Sequence, residues 1–153
     1  MVSDSGGMGI RAVDALEALG LEVQEVPESI AKELKRGLLP FAAVSNPIDV
    51  TGSATDEHYK IVLDDLLPTA FFDMAPIVTL MQVPGLTKNL AEYIINSRRY
   101  GKPIAVVNFG GSELVQRFEE ELEDQGIPVY PTPDRAAKAL WALYKYGEVK
   151  RRL

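Results

Sequence analysis

The chain predicts an α/β protein, a doubly wound and mainly parallel sheet of about five strands with helices on both faces. Three observations carry that prediction. Short apolar segments alternate with stretches of helical spacing about five times along the 153 residues, and a repeated strand–helix unit demands parallel strands joined by right-handed crossovers. Two segments, 76–83 and 104–107, are nearly continuously apolar, as strands covered on both sheet faces are. Glycines at 20, 37, 101 and 126 stand where the helical spacing stops, the usual place for a residue that accepts left-handed backbone.

Residues 1–4 form the tail of a short strand, and Ser5, Gly6, Gly7, Met8 and Gly9 lead into a helix whose apolar stripe is Ile10, Val13 and Leu16. Residues 21–26 alternate Leu, Val and Val with Glu and Gln, which predicts a small strand. Pro27, Glu28 and Ser29 open a short helix carrying Ile30 and Leu34 and ending at Gly37. Residues 38–54 read as loop and short strand around Ala42, Ala43 and Val44 and then Ile48, Asp49 and Val50. Thr55 caps the next helix, with Asp56 and Glu57 in its first turn and Tyr59, Val62, Leu63 and Leu66 inward. After the 76–83 strand, residues 86–100 return to helical spacing through Leu90, Tyr93 and Ile94. The 104–107 strand is followed by Gly110, Gly111 and Ser112, opening a helix with Leu114, Val115, Phe118 and Leu122 inward. Residues 127–130 are a last short strand. Thr132, Pro133 and Asp134 then cap a helix using Ala136, Leu140, Leu143 and Tyr144. One domain over residues 1–147 and a basic, fraying tail at 148–153 complete the expectation; fraying is expected to begin at Lys145.

Composition narrows the function. Lys and Arg number 16 against 22 Asp and Glu, a net charge of −6, which repels nucleic acid and anionic membranes. Without cysteine there is no disulfide, thiolate metal site or cysteine nucleophile. No basic and apolar leader opens the chain and no long apolar run follows, so a cytoplasmic protein without a membrane span is expected. His58 is the only histidine, and no metal site is expected.

In an open parallel sheet the binding loops gather at the carboxyl ends of the strands. Residues 5–9, 46–52, 83–87, 108–112 and 130–134 should therefore share one edge. Ser5, Gly6, Gly7, Met8 and Gly9 form a glycine-rich turn into a helix, where backbone N–H groups and the helix dipole converge on an anion. The same residues also suit a plain strand-to-helix turn, and they have neither dinucleotide-fingerprint spacing nor the lysine of a Walker loop. Gly110, Gly111 and Ser112 repeat the arrangement and stand second, together with Asp49 and Thr51 in the polar 46–52 loop. His58 lies in a helical first turn rich in carboxylates, an exposed and paired position rather than a catalytic one. The acidic run at 119–121, 123 and 124 is a solvated helix face. Phe71, Phe72, Trp141, Tyr144 and Tyr146 are core or interface anchors. No residue is assigned a catalytic role.

Three segments then carry a resemblance. Residues 3–21, which run Ser-Asp-Ser-Gly-Gly-Met-Gly through Ala-Leu-Glu-Ala-Leu-Gly-Leu, residues 46–52, Asn-Pro-Ile-Asp-Val-Thr-Gly, and residues 126–133, Gly-Ile-Pro-Val-Tyr-Pro-Thr-Pro, occur in that order. Together they resemble the C-terminal flavodoxin-like domain of NDP-forming acyl-CoA synthetases, the ADP-forming acetate–CoA ligase relatives of succinyl-CoA synthetase, over nearly the whole chain. The 101–107 segment fits as well.

The resemblance implies a flavodoxin-like fold and a part in the reversible conversion of acyl-CoA, ADP and phosphate to free acid, CoA and ATP through a phosphohistidine. It places residues 5–9 at a helix N-terminus facing that phosphohistidine, which another domain carries. The family's CoA-binding domain, histidine-bearing segment and ATP-grasp domains have no counterpart in these residues, and His58 does not match the phosphorylated position. The expected partners are therefore CoA-binding and ATP-grasp domains or subunits. ADP or ATP, CoA, phosphate and Mg serve the complete enzyme, and no cofactor is held tightly by this chain. An apolar patch around Phe71, Phe72, Leu38 and Leu39 would favour self-association. The alternative from another class is a non-catalytic small-anion-binding or protein-interaction module on the same scaffold; a flavin protein is disfavoured, because the 5–9 loop is poor in Ser and Thr.

Overall fold

The computed structural model describes residues 1–153. Five strands, β1 (Val2–Ser3), β2 (Ile48–Asp49), β3 (Ala75–Thr79), β4 (Ile104–Asn108) and β5 (Val129–Tyr130), form one sheet in the order β2-β1-β3-β4-β5. Every pairing is parallel, and this is the flavodoxin-like order. Six α-helices accompany them: α1 (Gly6–Ala18), α2 (Glu28–Gly37), α3 (Asp56–Leu66), α4 (Asn89–Asn96), α5 (Glu113–Asp124) and α6 (Pro133–Arg152).

The pleat of β3 and β4 sorts the core into two layers. Val78, Ala105 and Val107 face α1 and α6, joining Ala12, Leu16, Ala136, Ala137 and Leu140. Ile77 and Val106 face the other way, into the larger cluster with Leu34, Tyr59, Val62, Leu90, Ile94, Phe118 and Leu122 from α2 to α5. All residues of β3 and β4 are buried, which accounts for their unbroken apolar sequence.

Several expected elements are corrected. Residues 21–26 form no strand: β1 is already flanked by β2 and β3, and Ala43 bridges to Asp49 beside β2. Leu21 and Val23 instead pack half-buried on the α1–α6 layer. β3 stops at Thr79 rather than 83, because the Leu80 N–H turns to the Asp4 carboxylate. The helix expected from 86 begins at Asn89, and its last turn is a 3-10 turn, Ser97–Tyr100, closed by Gly101 at φ +70°. Leu114 and Leu143 are exposed, not inward; in α5 the buried stripe is Val115, Phe118 and Leu122, and Leu114 lies one residue off it. The last strand is confined to Val129–Tyr130.

The tail expected to fray is helical through Arg152. Glu148 holds that end, accepting from Lys145 at 2.8 Å and from the Tyr144 hydroxyl at 3.3 Å. Leu38 is buried in the core and leaves the proposed apolar patch, whereas Phe71 is 55% exposed.

Candidate functional site

The sheet order changes direction at β1: the chain passes to β2 on one side and returns to β3 on the other. Crevices that receive ligands in such sheets open at this switch point, above the carboxyl ends. Residues 5–9 lie there, as do the ends of β2 and β3.

Ser5 is the N-cap of α1 in extended backbone, at φ −132° and ψ 102°, and its side chain caps nothing. Its N–H donates to Ser3 Oγ at 3.0 Å, and Ser3 Oγ donates to the Ser5 carbonyl at 2.8 Å. The first intrahelical bond runs from the Gly9 N–H to the Ser5 carbonyl. The amides of Gly6, Gly7 and Met8 are thus left without a protein partner, as the first turn of an uncapped helix must be. The first turn of α1 also contains no acid, whereas the first turns of α2 through α6 contain Glu28, Asp56 and Glu57, Glu92, Glu113 and Asp134.

Close approach favours glycine at two of these positions. A Cβ on Gly9 would lie 3.2 Å from Ser3 Cβ and 3.3 Å from the Pro47 ring, and one on Gly6 would lie 2.8 Å from Asp49 Oδ2. Gly7 faces open space. Residues 5–9 and the 46–52 loop therefore meet at the edge where they were expected to. Asp49 stands beside Gly6, its Oδ1 accepting the Thr51 N–H at 2.8 Å. Thr51 adopts φ +70°, a left-handed conformation for a residue with a side chain, and its Oγ1 accepts the Ser53 N–H.

The second glycine turn differs. Ser112 Oγ accepts the Val115 N–H at 3.3 Å, capping α5. Gly110, at φ +136°, lets Gln82 lie against it, and Gly111 is open to solvent. Structure therefore brings Asp49 and Thr51 to residues 5–9, while Gly110, Gly111 and Ser112 sit at the end of β4, across β3.

Two buried residues here escaped the sequence reading. Asp4, 4% exposed, directs its carboxylate to the Leu80 N–H at 2.9 and 3.1 Å and to the Thr79 hydroxyl at 3.3 Å. Burial raises its pKa, against the pull of the Leu80 N–H and of the Tyr59 and Thr79 hydroxyls. Tyr59 donates to the Val78 carbonyl at 2.7 Å. Its phenol is pushed well up, by burial first and then by the Asp4 charge. By the register of β1, β3 and β4, Asn108 is level with Thr79. Its Nδ2 donates to Glu119 Oε1 at 3.2 Å, and its buried Oδ1 has no partner. The signal in the sequence was a polar residue ending each apolar strand.

His58 is corrected: it pairs with no carboxylate. Its Nδ1 accepts the Thr55 N–H at 2.9 Å in a capping box at the start of α3. No cluster of three or more His, Cys, Asp or Glu could hold a metal, and no helix is long and apolar enough to cross a membrane. A cavity of about 340 Å³ opens at the opposite, amino edge of the sheet between Leu16, Leu21, Phe71, Phe72 and Leu140. It is remote from the switch point.

The family model of the Ligase-CoA domain matches residues 1–153. The chain is 35% identical over 155 residues to the alpha subunit of acetate–CoA ligase (ADP-forming) I of Pyrococcus furiosus, covering 98% of this chain and 33% of that one. It is 32% identical to acetate–CoA ligase (ADP-forming) of Methanocaldococcus jannaschii, over 98% of this chain and 22% of the relative. Among solved structures, a dinucleotide-forming acetyl-coenzyme A synthetase 1 of Ca. Korarchaeum cryptofilum, in complex with phosphate and ADP, superposes with a TM-score of 0.85. That match is 32% identical and covers 96% of this chain and 32% of that one. The chain thus spans about a third or less of the length of these relatives.

Proposed function

This chain belongs to the Ligase-CoA domain family, and on that premise we propose that it is one domain or subunit piece of an ADP-forming acyl-CoA synthetase. The complete enzyme converts acyl-CoA, ADP and phosphate to the free acid, CoA and ATP. In this reading the chain supplies no catalytic group. The N-terminus of α1 stabilises a phosphoryl group carried on a histidine of another domain, through the amides of Gly6, Gly7 and Met8.

The observation that supports this role is the state of those three amides, which have no protein partner on a helix without a side-chain cap or a first-turn acid. Unpaired N–H groups and the positive end of the dipole act together on an anion. They act most on charge that develops during transfer, since they are already oriented. The chain's only histidine is committed to capping α3, so the phosphoryl carrier comes from a partner. The partners are the CoA-binding and ATP-grasp parts of the ligase; CoA, ADP or ATP, phosphate and Mg are bound mainly there. A reducing cytoplasmic setting is in keeping with a chain free of cysteine.

Reconstitution tests the reading. The purified chain, combined with the CoA-binding and ATP-grasp parts of a homologous ligase, should form a stable complex and restore acyl-CoA-dependent ATP formation from ADP and phosphate. No restored turnover from an assembled complex of folded parts would overturn it in favour of a non-catalytic module.

A further inference from the structure

Helix α6 is longer than the layer it covers. Its 20 residues reach about 30 Å, whereas the five residues of β4 reach about 17 Å. It leaves the carboxyl edge after β5 and runs back along the sheet, and its buried residues, Pro133, Ala136, Ala137 and Leu140, stop near its middle. Beyond them a second apolar face begins. Ala139, Leu143, Tyr146 and Val149 follow at spacings of four, three and three, which keeps them on one side of a helix. The last three are 47%, 64% and 57% exposed. That face starts in a cleft. A cavity of about 320 Å³ opens between Ala139 and Leu143 of α6, Ile104 at the start of β4, and Ile127 and Pro128 just before β5, room enough for one large apolar side chain.

The charge around this face is of one sign. The chain is −6 overall, yet from Arg135 to Arg152 it carries six bases and one acid, Glu148. Glu148 is taken by Lys145. Lys150 lies one turn beyond Tyr146, and Arg98 lines the cleft from the far side; neither makes a salt bridge within the chain. Unpaired cations beside an exposed apolar stripe call for carboxylates on whatever covers it. A second copy laying its own α6 here would set base against base, and its acidic helix α5 shows a single exposed apolar residue, Leu114. An anionic membrane is repelled by the net charge and cannot fill a recessed cleft. We propose that the cleft and the outer stripe of α6 form a docking site for an acidic amphipathic helix of a partner protein. One large apolar side chain of that helix sits in the cleft, and its carboxylates face Arg98 and Lys150, as in helix-in-groove recognition. The site lies at the amino ends of β4 and β5, away from the N-terminus of α1, and stands apart from the phosphoryl reading.

The test is fluorescence anisotropy of a fluorescein-labelled peptide with leucine at the a and d positions of its heptads and glutamate beside them, titrated with the 153-residue chain. A peptide of the same composition, with its leucines scattered around the helix, is the control. The expected result is saturable binding of the first peptide alone, weakened by added salt. Tyr146→Ser and Arg98→Glu should each weaken it at least about tenfold. Both residues are exposed and they lie on different elements, so either variant reports should the other fail to fold. No binding by wild type, equal binding of the control peptide, or binding untouched by both substitutions would overturn the proposal. So would a wild-type dimer in sedimentation equilibrium that Tyr146→Ser dissociates, which would make the occupant a second copy. Binding to phosphatidylglycerol vesicles in place of the peptide would overturn it in favour of a membrane surface.

Discussion

Helices α1 and α5 both leave a parallel strand through paired glycines, and in sequence the two turns look like copies. At α5 the turn closes on itself. Ser112 accepts the Val115 N–H and Glu113 supplies a first-turn acid, so part of the terminus is already satisfied. At α1 the cap residue Ser5 is engaged with Ser3, the first turn contains no acid, and the amides of Gly6, Gly7 and Met8 are free. The residues beneath the two turns differ as well. Asp4 is fully bonded to Thr79 and Leu80, whereas Asn108 keeps an unpaired Oδ1. The difference teaches that two glycine turns can leave different numbers of amides open, a property of the cap and not of the glycines.

The sharpest way to break the comparison is charge. Gly7 faces open space, and Asp at the second position of a helix favours its dipole, so Gly7→Asp should leave thermal stability unchanged or slightly higher. In the reconstituted ligase it should lower ATP formation on the order of tenfold, because the new carboxylate stands beside the oriented amides and repels the phosphoryl group they would stabilise. Gly111→Asp should alter turnover less than twofold. Comparable losses in both variants would erase the distinction.

Packing comes next. Gly9→Val sets a branched side chain against Ser3 and the Pro47 ring, which are already within 3.2 to 3.3 Å of a bare Cβ. Overpacking of this kind costs about 2 kcal/mol, and Val and Gly differ too little in helix propensity to offset it. The melting temperature should fall by about 4–8 °C. Gly111→Ala meets no atom within 4 Å and should stay within about 0.5 kcal/mol of wild type in urea unfolding.

Capping separates the turns more gently. Ser112→Ala should cost about 1 kcal/mol, and Ser5→Ala, with no side-chain cap to lose, only a few tenths. Denaturant midpoints at constant m would measure both, and equal losses would contradict the assigned caps.

The smallest effect lies in pH. The Asp4 carboxyl is raised above its ordinary 3.8 by burial, so the folded protein binds its proton more readily than the unfolded chain does. Stability from this group is fully present below 3.8 and is lost as pH rises through the folded pKa. Asp4→Asn imitates the protonated form. Its melting temperature should lie slightly above that of wild type at pH 7, and the gap should close as pH falls into the carboxylate range. A gap that does not vary with pH would refute the assigned cause.

The regular parts of this fold were legible in the sequence because one physical pattern settles each of them. β3 and β4 are apolar throughout because both sheet faces are covered, and Gly37 and Gly101 mark helix ends. Residues 21–26 misled because their alternation satisfies a strand pattern while β1 has no free side to pair with. Leu114 misled by apolarity alone, lying beside the buried stripe and not on it. For the site, residues 5–9 and their meeting with Asp49 and Thr51 were legible from glycine placement and from loop position in a parallel sheet. Asp4 and Asn108 were not, since whether a polar residue ending a strand is buried depends on register with its neighbours. The contrast between the capped and uncapped helices was equally hidden, because Ser5, before its glycine pair, and Ser112, after its own, are both serines suited to an N-cap and only Ser112 uses its side chain as one.

One measurement bears most directly on the central claim, that α1 and not α5 receives the phosphoryl group. The ¹⁵N-labelled chain, assembled with its ligase partners, is compared before and after phosphorylation of the partner histidine. The account predicts that the amides of Gly6, Gly7 and Met8 shift on phosphorylation while those of Glu113 and Leu114 at the start of α5 stay in place. Shifts confined to α5, or none at either helix in a complex shown to be phosphorylated, would contradict it.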